Sequence, residues 1–423
     1  MKKTKLFVLA AMASLTLVGC GGSAEVAPGT LPAGGTEVDV SKEEGKTELK
    51  NRFNAAKEAY EKLDLTSGAI KSTTGLDLLV SAKASAPLIG IKEAKLSANV
   101  KGLKVDTTAK VAKSAEGNVD ASVNAVVKDG TVSVSGSLPA KEETEEKPMA
   151  DFGSSFSVKG AEANAYLKGS YAYVDISSKN NQKVAAGFDK FGNNLMTSLD
   201  ATSFGALIPT LLEGLLPFYT KDGGFAFGDE FESLDKKLAF DLGTAVAWPE
   251  ITTPETEESS LIPVDIDSLI DVITSETFLK DLNFKFETYK DGGFGAAIDV
   301  NKDNLVNLVA SFAGVEATKI KETIDPYLLD LSLKASAHFN KSFLLDNVGF
   351  AITLKGKLDS LEAIAPDYAS LISSFEATAD LSATESLSIT YGGTKVSFPD
   401  FKDYVLVELP EIPQTPTPTE VEE

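Results

Sequence analysis

Strict alternation of apolar and polar side chains runs through long parts of this chain and limits what it can fold into. Over residues 118–127, five apolar side chains alternate with polar ones. Successive side chains of a β-strand point to opposite faces, so the pattern predicts half-buried antiparallel strands with one wet and one dry face. Asp129-Gly130 predicts a turn within this run. The same alternation recurs in segments 96–100, 105–111, 132–134, 163–167, 172–176, 329–339, 348–354 and 375–381.

Three other segments repeat apolar residues every three or four positions, which is the period of an amphipathic helix. Ser41 and Glu44 fit a capping box before the first helix. Asn301 is a candidate N-cap of the third, and two prolines predict a short or kinked second helix. The three apolar stripes span residues 49–63, 204–216 and 305–312.

Both patterns in one chain predict an α+β fold. We expect a large curved antiparallel sheet, half-barrel-like, with amphipathic helices covering its apolar face. Many positions on the apolar stripes are alanine, among them Ala82, Ala98, Ala125 and Ala377. Small side chains let helices pack closely on a sheet, and packing density favours this interpretation. The alternative is that they leave space for an acyl chain or another apolar ligand.

The single cysteine, Cys20, directly follows the first apolar run. Lysines precede that run, which spans about 13 residues; this arrangement is typical of a secretory signal, and a membrane-spanning helix needs roughly 20 residues. Leu17-Val18-Gly19-Cys20 resembles the lipobox of bacterial lipoproteins. The resemblance implies cleavage between Gly19 and Cys20 and a diacylglyceryl group on the Cys20 sulfur. Since no second cysteine exists, no disulfide within the chain supports the fold.

The charge of the chain excludes one class of partner. The formal net charge is -22, and loss of residues 1–19 would leave 37 basic residues against 62 acidic ones, a charge of about -25. Arg52 is the only arginine. Nucleic-acid sites use basic patches and arginine forks, so we expect no nucleic-acid partner and no electrostatic docking on anionic lipid.

Composition divides the chain into four parts. Residues 1–19 are the predicted signal peptide, and residues 20–40, rich in Gly, Pro and Ala, are predicted to form a lipidated, flexible tether. Residues 41–408 form the predicted α+β body, and a polar stretch at 249–263 suggests a boundary between two lobes. The Pro-, Thr- and Glu-rich residues 409–423 are predicted to be disordered.

Candidate catalytic and metal-binding side chains are few. The single histidine, His338, falls on the polar face of its predicted strand, which favours an exposed imidazole without a catalytic role. Asp299, Asn301 and Asp303 have the spacing of the first ligands of a calcium loop, but the required glycine is Asn304 and the final glutamate is Ala310. We therefore expect no metal, no cofactor and no enzyme activity, although a hydrolase built on two carboxylates stays an alternative.

The order of signal, lipobox, tether, early helix and one-sided sheet resembles the LolA/LppX-like group of bacterial lipoproteins and lipoprotein carriers. The stretches "AYLKGSYAYVDIS" (165–177) and "VSFPDFKDYVLVEL" (396–409) are most similar to that group. The resemblance implies a half-barrel with a helical lid that holds acyl chains or glycolipid. We expect an extracytoplasmic protein, anchored through Cys20, that binds a hydrophobic ligand such as a lipid. The alternative is a surface scaffold or protein-interaction lipoprotein with a filled core.

Overall fold

One large open sheet dominates the protein. The structure, a computed structural model, describes residues 27–63, 65–87, 91–142, 149–203, 205, 219–220, 224–225, 237–249, 266–360 and 372–407. The fold is α+β, and its sheet is mostly antiparallel and not closed. The strands of this sheet are β1 Thr36–Glu37, β2 Ser67–Ala86, β3 Ile91–Lys113, β4 Val119–Pro139, β5 Met149–Ser157, β6 Glu162–Lys168, β7 Tyr171–Asp175, β10 Lys237–Asp241, β11 Lys285–Thr288, β12 Phe294–Asn301, β13 Leu328–Phe339, β14 Leu345–Leu358, β15 Ser374–Tyr391 and β16 Tyr404–Val407.

The strand order is β1-β11-β12-β13-β14-β15-β2-β3-β4-β6-β7-β10-β16, with β5 beside β4. Among the described strands, only β10 and β16 pair in parallel. A separate hairpin joins β8 Tyr219–Thr220 to β9 Gly224–Phe225. The described helices are α1 Glu43–Glu61, α2 Lys179–Leu199, α3 Ile266–Ile273, α4 Glu276–Asp281, α5 Lys302–Ala313 and α6 Ala317–Ile324.

The segments predicted as strands fall on strands, and several of them merge into longer ones. Segments 96–100 and 105–111 are both part of β3, which has a bulge between Lys101 and Lys104. The turn predicted at Asp129-Gly130 is wrong, since β4 continues through it, paired to β3. A Cβ on Gly130 would lie 2.8 Å from Leu103 Cδ1 and 3.2 Å from Leu103 Cα, so glycine suits the close approach of β3 at this point. Asp-Gly thus accommodates the neighbouring bulge instead of reversing the chain.

The N-terminal segment is part of the body, contrary to the predicted flexible tether and to a body beginning at residue 41. Residues 36–37 pair with β11 and cover that edge of the sheet. Val40 is buried in the main core, and Tyr289 Oη donates a hydrogen bond to the Pro32 carbonyl at 3.1 Å. Gly29 has a φ of 75°, and a Cβ there would lie 2.6 Å from Lys334 Cβ. Glycine and proline, which suggest a linker by composition, here allow a close approach to the polar face of the sheet.

Helix α1 begins without the predicted capping box. Lys42 is its N-cap residue and provides no side-chain cap, while Ser41 Oγ donates to Asp39 Oδ1 at 2.5 Å. The predicted N-cap of α5 is confirmed: the Asn301 side chain accepts a hydrogen bond from Asn304 N at 2.9 Å. The second predicted helix, at 204–216, lies outside the described residues except for residue 205. Among the helices that the structure describes, none is both long enough and apolar enough to span a membrane.

Helices α1 and α2 pack on the apolar side of the sheet, α1 towards the β1 end of the strand order and α2 over β5, beside β4. Phe53 of α1 contacts Phe294 and Phe339, with ring centroids 5.6 and 6.1 Å away. This contact belongs to the main core, which also contains Leu49 and Phe286. On the same face, further along the strand order, Phe188 and Phe191 of α2 pack on Phe156 of β5, with ring centroids 5.7 and 5.2 Å away. Each helix therefore has its own aromatic contact with the sheet.

The last turn of α1 is held by a pair of tyrosines, and this predicts alkaline sensitivity. Tyr60 and Tyr391 share a hydrogen bond of 2.9 Å between their hydroxyl oxygens. Burial, and to a smaller extent this hydrogen bond, raises the pKa of Tyr391. A raised folded pKa means that the stabilisation is complete below the ordinary tyrosine pKa of about 10 and is lost as pH rises above it. From pH 8 to 11, we expect the wild type to lose about 1.4 kcal/mol more stability than Tyr391→Phe. Urea unfolding at both pH values measures this, and equal losses would contradict it.

Candidate functional site

Strand register gathers the apolar positions of the central strands onto one face, which we call the apolar face. It includes the alanine positions noted in the sequence: Ala82 pairs with Ala377, and Ala125 pairs with Ala163. Val80 pairs with both Ala379 and Ala98. The pairing of β15 with β2 runs through eighteen residue pairs without a shift, so alternation assigns every residue of these two strands to a face.

Part of the apolar face carries exposed side chains. Val80 of β2 is 40% exposed, Leu96 of β3 is half exposed, and Phe350 of β14 is exposed as well. These residues lie on strands between the regions where α1 and α2 pack. Leu79 is also 40% exposed, but it pairs with Asp380 and lies on the opposite face. Large apolar side chains that remain in water within one sheet face mark a surface able to bind an apolar partner.

A polar cluster interrupts this face in the middle of the sheet. On β2 and β15, every side chain of the apolar face is apolar or carries a hydroxyl, with the exception of Glu385. Ser72 Oγ donates to Glu385 Oε1 and Thr74 Oγ1 donates to Glu385 Oε2, both at 2.5 Å. Thr107 pairs with Ser72 from β3 and completes the group. We call Ser72, Thr74, Thr107 and Glu385 the Glu385 cluster.

The sequence analysis missed this cluster, although the signal was present. Residues 375–391 alternate strictly, and Glu385 occupies an apolar position of that alternation. Ser72 and Thr74 similarly occupy apolar positions between Ile70 and Leu76. Three polar residues at dry positions, in segments far apart in sequence, become one group only through the β15–β2 pairing.

The residues predicted to carry the lipid lie outside the described residues. Gly19 and Cys20, with the signal peptide 1–19, therefore stay predictions, as do the tail 409–423 and most of the suggested lobe boundary at 249–263. The described structure begins at residue 27, where the segment follows the polar face of the sheet.

His338 lies on the polar face as predicted, but it is not an exposed imidazole. Its Nδ1 is 2.6 Å from Asp346 Oδ1, and its side chain is mostly buried. Tyr289 covers the ring edge-on at 4.8 Å, and burial together with Glu287 raises the pKa of the Tyr289 hydroxyl. Since Tyr289 also bonds to Pro32, these contacts secure the N-terminal segment. Within the described residues, no hydroxyl or thiol nucleophile hydrogen-bonds His338.

The acidic residues considered as calcium ligands point to separate partners. Asp299 pairs with Lys334 at 3.0 Å, and Asp303 pairs with Lys321 at 2.6 Å. Asn301 is occupied as the cap of α5. The two aspartates thus pair with different lysines and the asparagine caps a helix. The structure does not bring the three side chains together as a set of ligands.

The two stretches that carried the family resemblance meet in space. Residues 165–177 form the predicted tyrosine-containing hairpin of β6 and β7, and helix α2 follows it. Tyr173 of β7 stacks on Phe401 at 3.7 Å between ring centroids, and Tyr404 contacts both rings. Tyr166 joins them from β6 at 5.7 Å from Phe401. This aromatic group lies on the polar side of the sheet and supports its β16 edge.

Comparison with known proteins identifies no family. No family model and no curated protein matches the chain. Among solved structures, the outer membrane protease OmpT of Escherichia coli matches at 6% identity, over 78% of this chain and 97% of that one, with a TM-score of 0.14. A Pseudomonas aeruginosa FadL homologue matches at 7% identity, over 80% of this chain and 93% of that one, with a TM-score of 0.12. Similarity at this level supports no statement about the fold or the function of this chain.

Proposed function

We propose that this protein binds a hydrophobic ligand on the apolar face of its sheet, while a lipid on Cys20 anchors it to a membrane outside the cytoplasm. The observation that carries the proposal is the exposure of Val80, Leu96 and Phe350 on one face between two helix-covered regions. In this proposal the sheet is a half-barrel-like wall of the LolA/LppX type, and α1 and α2 belong to its helical cover. The lipobox-like motif at residues 17–20 supports the anchor.

Binding can be tested with two neighbouring residues of equal exposure. Val80 and Leu79 are both 40% exposed and lie on opposite faces of β2. A lysine on the apolar face would place an ammonium where an apolar ligand excludes water, which is unfavourable. We expect Val80→Lys to weaken binding of the neutral fluorophore N-phenyl-1-naphthylamine about tenfold, corresponding to about 1.4 kcal/mol. The matched control Leu79→Lys should leave the affinity within about twofold.

The measurement is fluorescence titration of the chain from residue 21 onwards, whose own anchor cannot occupy the site. Every contact described above lies within residues 27–407, so this chain retains all of them. No binding by the unsubstituted chain, or equal losses in the two variants, would contradict the proposal. Phe312→Ser is a further control, since Phe312 is 75% exposed on α5. If that variant alone loses binding, the probe occupies an exposed helix surface, as expected for the alternative scaffold function.

A further inference from the structure

Glu385 retains unused acceptor capacity in apolar surroundings. A carboxylate offers about four lone-pair positions, and Ser72 and Thr74 occupy one on each oxygen. Its neighbours on the adjacent strands are Phe350 and, beyond Thr74, Val105. Among the described residues, no lysine or arginine forms an ion pair with it. A partly buried carboxylate without a cation is costly, so a partner that donates hydrogen bonds would stabilise it.

Thr107 gives an independent indication at the same place. The residue is only 3% exposed, and its Oγ1 has no hydrogen-bond partner within the described structure. Nearly all buried polar groups in proteins are hydrogen-bonded, and leaving one unpaired costs about 1–3 kcal/mol. Thr107 shares the apolar face with Ser72, its direct partner across the β2–β3 pair. An unpaired hydroxyl and a carboxylate without a cationic partner thus lie within one small polar area of an otherwise apolar face.

We propose that the Glu385 cluster binds the polar head group of the apolar ligand, and that this head group donates hydrogen bonds: an ammonium or a hydroxyl, in preference to a carboxylate or phosphate. This inference rests on the proposed function and specifies its substrate class. The head group would contact Glu385 and Thr107. The apolar tail would extend from there along the apolar face of β2 towards Val80, which lies about 20 Å along the strand from Thr74. An anionic head group is excluded by charge repulsion with Glu385 and by the few hydrogen-bond donors nearby.

Three ligands with the same tail test the head-group preference. Dodecylamine, dodecanol and dodecanoate, below their micelle-forming concentrations, each displace N-phenyl-1-naphthylamine from the chain beginning at residue 21. We expect dodecylammonium to bind at least about tenfold more tightly than dodecanoate at pH 7, a difference of about 1.4 kcal/mol. In Glu385→Gln, which keeps the shape of the side chain, the ratio should fall below about threefold.

Glu376→Gln is the matched charge control. Glu376 lies on the same strand but pairs with Lys83 on the opposite face, so this variant makes the same change in net charge away from the cluster. An unchanged preference in Glu385→Gln, an equal loss in Glu376→Gln, or no preference in the unsubstituted chain would each overturn the inference. In all three cases the neutral probe still binds and the proposed function survives. Absence of probe binding would overturn both.

Thr107→Val separates a binding role from a structural one. Valine has nearly the same shape and removes the unpaired hydroxyl, so the free energy of unfolding should stay equal or rise. If Thr107 contacts the head group, the variant should bind dodecanol about threefold to tenfold more weakly. Unchanged dodecanol affinity would remove Thr107 from the site, and reduced stability would show that its hydroxyl serves the fold.

Discussion

Phe294→Ala should lower the free energy of unfolding by about 3–5 kcal/mol. Phe294 is fully buried. Its ring stacks in parallel on Phe339, with centroids 4.4 Å apart, and also contacts Phe53 and Phe286. The substitution would therefore leave a cavity between helix α1 and the sheet, and the surrounding strands can fill little of it.

Urea unfolding measures this change, with Phe312→Ala as the control. Phe312 is exposed on α5, so its truncation should change stability by less than about 0.5 kcal/mol. Similar losses in the two variants would show that the cluster around Phe294 is not the main core. A large loss confined to Phe294→Ala would agree with the docking of α1 as a central source of stability.

The sheet was predictable because its signal is local. Alternation in segments such as 329–339 and 348–354 depends only on which side chains face water, and the structure shows these segments within β13 and β14. The cap at Asn301 was predictable for the same reason, since its hydrogen bond spans three residues. In both cases the sequence signal is contained in a short stretch of the chain.

The failures came from interactions between distant segments. Composition cannot show that Gly29 and Val40 lie against strands some 250 to 300 residues later. Local turn preference at Asp129-Gly130 is outweighed by the long pairing of β3 with β4. The Glu385 cluster belongs to the same class, because Ser72 and Glu385 are 313 residues apart in sequence. A polar residue in an apolar register is nevertheless visible in one sequence, and it indicates where a sheet face will be chemically specialised.

Cys20→Ser should abolish labelling of the protein by palmitate, and removal of residues 1–20 should release it from membranes. The sequence contains no other cysteine, so no thioether lipid can form elsewhere. Two acyl chains contribute about 0.8 kcal/mol for each buried methylene, enough for stable anchoring, and the chain offers little to replace them. We expect wild-type protein in the envelope pellet to carry the label, and Cys20→Ser protein to be unlabelled.

Salt separates the lipid anchor from surface adsorption. A chain of net charge -22 with one arginine has no electrostatic attraction to anionic lipid, so washing in 1 M salt should leave the wild type in the pellet. An uncleaved signal could hold Cys20→Ser protein at the membrane, so the chain beginning at residue 21 is the second variant and should be found in the soluble fraction. An unlabelled wild type, or a chain from residue 21 that still sediments, would contradict the anchor. Sedimentation of the chain from residue 21 would also show that the exposed apolar residues of the body bind membranes by themselves. The apolar face would then be a membrane-binding surface.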